Sequence, residues 1–311
     1  MVKSEILEII LYFSFLVFSL KSRKWVGNRV MRIVQASEHT WRGNQLRHRK
    51  GRISIKRLLD GEPGSPENFG LHIGRESEEF FSPRHRHPWD QIRYCISGRV
   101  PIGPDRVIDA GEIGYFPEGV YYGPQKGPER SVMVLQFGGA SGQGYINRDI
   151  VNNAYDELGQ IGQFANGRFQ LKGGTKKTLD GYEAIWQHVT GRALKFPRPR
   201  YSEPVVLRPK NFLWRNNVIA GVRQKDLGRF SDRGTEITLY QIEGGRRRVL
   251  QSNAVLRVVF VLKGRGKCGT KEYKRHSALE FLAEEKMTIS PVTRTELLII
   301  AIPSVRNLGL K

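Results

Sequence analysis

Cysteine is scarce in this 311-residue chain: there are two, Cys95 and Cys268, too few and too far apart for a disulfide framework. Both lie in strand-like runs, so they read as buried thiols of a protein kept in a reducing, cytoplasmic setting. Long apolar runs are missing as well. The stretch from Ile9 to Leu20 is strongly apolar, but twelve residues fall short of the roughly 20 that a bilayer-spanning helix needs. Glu5 and Glu8 stand where a secretory signal would be basic, and no small-x-small cleavage site follows, which argues against a cleaved leader. Two readings of residues 1–34 remain. One is a membrane-associating anchor, with Lys21, Arg23 and Lys24 holding the body on the cytoplasmic side. The other, favoured because Met31-Arg32-Ile33-Val34 opens like an ordinary domain, is an extension upstream of a natural start at Met31.

Acidic residues are also in deficit, 30 against 51 basic ones, for a formal charge of +21. Such a charge attracts polyanions without defining a function. Arg42, Arg47, Arg49, Lys50, Arg52, Lys56 and Arg57 are spread along the chain with no nucleic-acid reading motif, so nucleic acid is not an expected partner. Arg52-Ile53-Ser54-Ile55-Lys56 reads instead as a strand at a sheet edge, its lysine guarding against pairing.

Against these absences, hydrophobic residues make up 39% and aromatics 10% of the chain, enough for two domains with separate cores. Strand patterns dominate: Ile92–Ser97 ending at Gly98, then Glu236–Ile242, Val255–Leu262 and Thr295–Ile302, with Gly264-Arg265-Gly266 as a turn. Helical periodicity is confined to Arg148–Gln160 and Leu179–Thr190, the latter stopping at Gly191. The glycine-rich Gly138–Gly144 lacks a phosphate loop's Lys-Ser/Thr and reads as a cavity rim. The segment Phe196–Pro204 reads as an extended connector.

Chemistry concentrates in Pro83-Arg84-His85-Arg86-His87-Pro88-Trp89-Asp90-Gln91. In a strand, His85, His87 and Gln91 would share one face, and two imidazoles on one face can grip one metal ion. His85, His87, Gln91 and Gly98 follow the intervals of a first cupin motif, and Gly111, Pro117, Gly119 and Tyr122 those of a second. The chain therefore resembles the cupin superfamily, with Gln91 where that family carries glutamate and Tyr122 where it carries histidine. The second half has one histidine, His276, no His-x-His pair, and a proline, Pro291, where a second motif would place one. It resembles a degenerate cupin domain, and the whole chain a bicupin with one surviving site.

The resemblance implies a mainly β fold of two jelly-roll barrels joined by a short helical segment. The expected division is an extension at 1–34, a first barrel at 35–140, a helical segment and connector at 141–206, and a degenerate second barrel at 207–311. It also implies a divalent transition metal, iron first and manganese, nickel or zinc as alternatives, held by His85 and His87 with help from Gln91 or Tyr122. Arg93 and Cys95 share the parity of Gln91, so Arg93 is expected to orient an anionic substrate, or else to pair internally with Asp90 or Glu118. Tyr122 and Arg93 are thus the candidate catalytic residues. Three functions fit: a dioxygenase-like enzyme acting on a small, anionic organic molecule, a noncatalytic small-ligand-binding bicupin, or a metal-assisted isomerase or lyase in which Tyr122 or Glu118 moves a proton. The expected partner is a small molecule, with a homodimer left open as the assembly.

Overall fold

The computed structural model describes residues 31–43, 51–165, 167–173, 178–250 and 254–304. The Ile9–Leu20 stretch lies outside the described residues. Two compact units result: residues 147–195, and the larger remainder.

The larger unit is mainly β. Its frame is two seven-stranded antiparallel sheets. The first runs in the order Val205–Leu207, Ile113–Phe116, Asp90–Ser97, Arg130–Phe137, Phe69–Glu76, Ile53–Asp60, Arg42–Gly43. The second runs Arg32–Gln35, Ser277–Leu282, Leu256–Lys263, Thr295–Ile302, Thr235–Ile242, Val222–Phe230, Arg215–Asn216. Their central strands are apolar almost throughout, as a strand buried on both faces requires: Leu256–Leu262 is buried at every position. One face of each sheet contributes to a shared core, Ile92, Tyr115 and Leu135 from the first meeting Leu239, Phe260 and Ile300 from the second. Tyr115 and Phe230 touch across it, ring centroids 5.1 Å apart.

The opposite face of each sheet closes a core of its own. In the first barrel Cys95, Val100, Ile108, Phe116, Tyr122 and Val134 pack together, and Arg99–Gly103 pairs with Arg106–Asp109 as a separate ribbon. In the second, Val259, Val261, Cys268, Phe281, Ile289 and Leu297 do so, beside a four-stranded sheet built from Arg248–Leu250, Met287–Pro291, Gly266–Cys268 and Lys271–Tyr273. The molecule thus carries the two jelly-roll barrels that the motifs implied. Each barrel holds one of the cysteines, and burial pushes the Cys95 thiol up to about 11 and Cys268 to about 12, so neither is a thiolate.

Two straps exchange between the barrels. Arg32–Gln35 pairs with Ser277–Glu280 in the second sheet, and the chain then passes through a 3-10 turn and Trp41 to join the first sheet's edge at Arg42–Gly43. Val205–Leu207 pairs with Ile113–Tyr115 in the first sheet, and the chain then passes through a 3-10 turn and Trp214 to the second sheet's edge at Arg215–Asn216. The fastenings match. Lys56 Nζ donates to Ala36 O at 2.8 Å and lies over the Trp41 ring, while Lys225 Nζ donates to Pro209 O at 2.6 Å and lies over the Trp214 ring.

In the smaller unit, Arg148–Ile161 forms a helix whose apolar face supplies Ala154, Tyr155 and Leu158. A hairpin of Gly162–Ala165 with Arg168–Leu171, unforeseen from the periodicity, separates it from the second helix, Gly181–Thr190. That helix starts where Asp180 accepts from the Tyr182 and Glu183 amides, and ends at Gly191 in the left-handed conformation, φ 65°. Ala184, Ile185 and Phe169 complete its core.

Candidate ligand site in the first barrel

The strand that positions the site begins at Asp90 rather than at His85. His85 instead forms an isolated bridge with Tyr122, its N–H donating to Tyr122 O at 3.0 Å and its carbonyl accepting from Tyr122 N at 2.9 Å. His87 is fixed differently, its carbonyl accepting from Gly119 N at 2.7 Å and its ring stacking on Trp89 at 4.6 Å. The two histidines therefore come together through a bridge and a stack, not through strand alternation; their ring centroids stand 4.9 Å apart, edge to face. The motif glycine has a clear reason to be glycine. Gly119 has φ 79°, and a Cβ there would stand 2.3 Å from Pro197 O.

Gln91 and Arg93 follow on one face of the strand Asp90–Ser97, and both are buried, at 1% and 6% exposure. Four of the five expected residues, all but His87, meet at one atom. The Tyr122 hydroxyl lies 2.9 Å from His85 Nε2, accepts from Arg93 Nη2 at 3.1 Å, and is 3.5 Å from the Gln91 amide nitrogen. His85 Nδ1 is 2.7 Å from Pro83 O. With the proton assigned to Nδ1 and donated there, Nε2 keeps its lone pair and takes the Tyr122 O–H. Tyr122 is then a donor to an imidazole and an acceptor from a guanidinium.

The Gln91 amide has two orientations. With its oxygen turned toward the guanidinium it accepts from Arg93 Nε at 2.9 Å and Nη2 at 3.1 Å, which satisfies a buried cation better than facing it with an NH2 group. In the other orientation that oxygen accepts instead from Gln136 Nε2 at 2.9 Å. Gln136 lies directly across the ladder from Gln91, so strand pairing placed a site residue that the motifs did not mark. Phe116, just before the second motif's proline, is another: its ring packs on that of Tyr122 at 4.7 Å, and the Arg93 guanidinium lies against both, 4.9 and 5.0 Å from their centroids.

Neither carboxylate considered as an internal partner for Arg93 is paired with it. Asp90 accepts from the Tyr115 hydroxyl at 3.1 Å and from Glu118 N at 2.9 Å. Burial, with the Glu118 charge adding to it, pushes its carboxyl up to about 7. Glu118 is held by Ser141, through its amide at 2.7 Å and its hydroxyl at 2.5 Å, and burial raises it too. The glycine-rich loop therefore cradles an anion after all, an internal one; a Cβ at Gly139 would stand 2.5 Å from Glu118 Cδ. Arg93 Nη1 is buried without a hydrogen-bond partner, and among the described residues no carboxylate forms an ion pair with Arg93.

The donor set bears on the divalent metal that the resemblance implies. With the proton assigned to Nδ1, tied to a backbone carbonyl, His85 directs Nε2 at the site, as a ligating imidazole does. His87 stands beside it. The other donors are a neutral amide and a phenol, and among the described residues no group of three or more His, Cys, Asp or Glu could hold a metal. The residues that would hold an ion are His85 and His87, and His85 would have to exchange its contact with the Tyr122 hydroxyl for the metal.

The comparisons agree on the fold. No family model matches the chain, and no curated protein matches it in sequence. Solved structures do. The chain is similar to a candidate dioxygenase from Nostoc punctiforme, at 12% identity and TM-score 0.60 over 89% of this chain and 84% of that one. It is also similar to a candidate glyoxylate-induced protein from Pseudomonas aeruginosa, at 11% identity and TM-score 0.56 over 89% and 90%. A third is the HEPD protein of Streptomyces albus, solved with Fe(II) and its substrate 2-hydroxyethylphosphonate, at 11% identity and TM-score 0.53 over 90% and 79%. These are cupin-type proteins, and the fold of this chain is the cupin fold in its two-barrel form.

Proposed function

We propose that the first barrel binds a small organic anion through Arg93, with a divalent metal ion, iron first among the candidates, held at His85 and His87, and that the protein is a dioxygenase-like enzyme. One observation carries this reading: a guanidinium 6% exposed, with no carboxylate partner among the described residues and one nitrogen unpartnered. A buried charge without a counter-charge is costly, and an anionic ligand supplies what is missing. Arg93 would orient a carboxylate or enolate, with the Gln91 and Gln136 amides steadying the guanidinium from behind. Tyr122, bonded to both Arg93 and His85, would hold or move a proton at the ligand. A bound divalent ion would supply Lewis-acid or one-electron chemistry and open positions for the ligand's oxygens. The Streptomyces protein, with Fe(II) and an anionic phosphonate on the same fold, supports the combination.

A noncatalytic anion-binding bicupin is the second reading, favoured by the Gln91 oxygen facing Arg93 and by the lack, among the described residues, of a carboxylate beside the two histidines. Elemental analysis after incubation with iron, manganese, nickel and zinc, followed by an oxygen-uptake screen over small carboxylates, separates the two. The enzyme reading expects about one metal ion per chain, abolished by His85→Ala with His87→Ala, and carboxylate-dependent oxygen uptake. A chain that stays metal-free yet binds carboxylates is the noncatalytic protein. In both readings Arg93→Lys keeps the charge, loses the fork, and weakens carboxylate binding by about tenfold or more at an unchanged melting temperature. Unchanged carboxylate binding in that variant would remove Arg93 from the site.

A further inference from the structure

The second barrel holds no histidine in its interior: His276 lies on the shared face, its ring stacked on Phe260 at 5.6 Å. It does hold a cavity of about 270 Å³ between its sheets, at the small end of ligand pockets, which run from roughly 300 Å³ upward. Its walls are apolar at Val259, Phe281 and Ile299, with the Thr238 hydroxyl among them. One buried cation faces this space. Arg257 is 3% exposed and stacks over Phe281 at 5.3 Å. Its Nη2 donates to the backbone carbonyl of Glu285, and its Nε is buried with no partner.

The neighbouring carboxylates are engaged elsewhere. Glu285 accepts from the Met31 and Leu282 amides at 3.0 and 2.6 Å. Glu236, at the cavity wall, is paired with Arg229 on its exposed side. Burial holds the Arg257 guanidinium below the usual arginine range, with the Glu285 charge opposing that. A cation, an apolar wall and the hydroxyl-bearing Thr238 and Tyr240, around a small and partly open volume, match a carboxylate head on a compact apolar body.

We infer that the second barrel is a second ligand site, in which Arg257 binds the carboxylate of a small monocarboxylic acid whose apolar body packs on Val259, Phe281 and Ile299. The site is separate from Arg93 and needs no metal. Isothermal titration of the full chain with benzoate, and with benzamide as the uncharged isostere, tests it. Benzoate binding to this site is expected to weaken by about tenfold or more in Arg257→Gln and in Ala301→Leu, which fills the cavity beside Arg257 and keeps its charge, and to persist in Arg93→Gln; benzamide should bind the Arg93→Gln chain about tenfold or more weaker than benzoate does. Circular dichroism checks each variant, and if Arg257→Gln does not fold, Ala301→Leu decides. Benzoate binding lost in Arg93→Gln but intact in Arg257→Gln and Ala301→Leu would overturn the inference and leave the first-barrel reading standing. Benzamide binding as tight as benzoate in the Arg93→Gln chain would overturn it as well.

Discussion

In the first barrel the rung of the ladder opposite Phe116 is Gln91, and Arg93 follows two residues on. In the second the rung opposite Phe281 is Arg257, followed by Val259. The rungs correspond because both strands carry a bulge near their end, between Cys95 and Ser97 and between Val261 and Lys263, and both turn at a glycine of positive φ, Gly98 and Gly264. One frame has therefore been filled twice with different polar groups. The first barrel gives its arginine an amide and a phenol, Gln91 and Tyr122, which Gln136 and His85 meet in turn; the second leaves its arginine beside a void. Burying a polar set is tolerable only when its members satisfy one another, so the first barrel packs its interior around hydrogen bonds while the second packs apolar side chains and keeps space.

The same contrast recurs at the end of the ladder. The rung Glu76–Arg130 in the first sheet is a buried ion pair at 2.5 Å, and the matching rung in the second is Ile242–Thr295. The largest effect should come from breaking that pair on one side. Glu76→Ala strands the buried Arg130 charge and should cost about 3 to 5 kcal/mol, read from the shift in urea midpoint at constant m-value. The double replacement Glu76→Ile with Arg130→Thr, which installs the second barrel's rung, should recover most of that loss. A double variant as unstable as the single one would show that the two barrels are not interchangeable there.

Next in size is a pH effect confined to the first barrel. Asp90 titrates near 3.8 unfolded and about 7 folded, so between these values the native state holds a proton the unfolded state has lost. Its contribution is fully present below about pH 4, is lost as pH rises toward 7, and has a limiting slope of about 1.4 kcal/mol per pH unit. Asp90→Asn, an isostere of the protonated acid, should flatten the decline in melting temperature over that window. An identical pH profile in wild type and variant would place the titration elsewhere.

The smallest effect concerns the straps. Lys56→Met and Lys225→Met each remove one cation–π contact and one hydrogen bond to a strap carbonyl, and each should lower stability by about 1 kcal/mol. Equal losses would support the symmetry of the two fastenings; a loss in only one would show that a single strap holds the barrels.

Much of the first barrel was legible in advance. The spacing of His85, His87, Gly98, Gly111, Pro117 and Gly119 announced the barrel, and strand parity sent Gln91 and Arg93 inward together. The conformation at the histidines was not legible, because the bridge of His85 to Tyr122 joins residues 37 apart in sequence. Gln136 and Phe116 escaped for the same reason: only ladder pairing puts them beside Gln91 and Arg93. Arg257 sat in plain view within an apolar strand, but nothing local distinguishes an arginine facing a cavity from one reaching solvent.

What the sequence determined by itself was periodicity and punctuation: where strands run, where glycine must turn them, and which side chains share a face, all consequences of a few covalent and steric rules acting over short distances. What the tertiary structure decided was which charges meet. Asp90 and Glu118, adjacent to the motifs, were taken by Tyr115 and Ser141, and Arg93 was left to an amide and a phenol. That outcome depends on the three-dimensional closure of two barrels, since a buried charge is satisfied by whichever group packing brings within 3 Å or so, and no spacing along the chain encodes that distance.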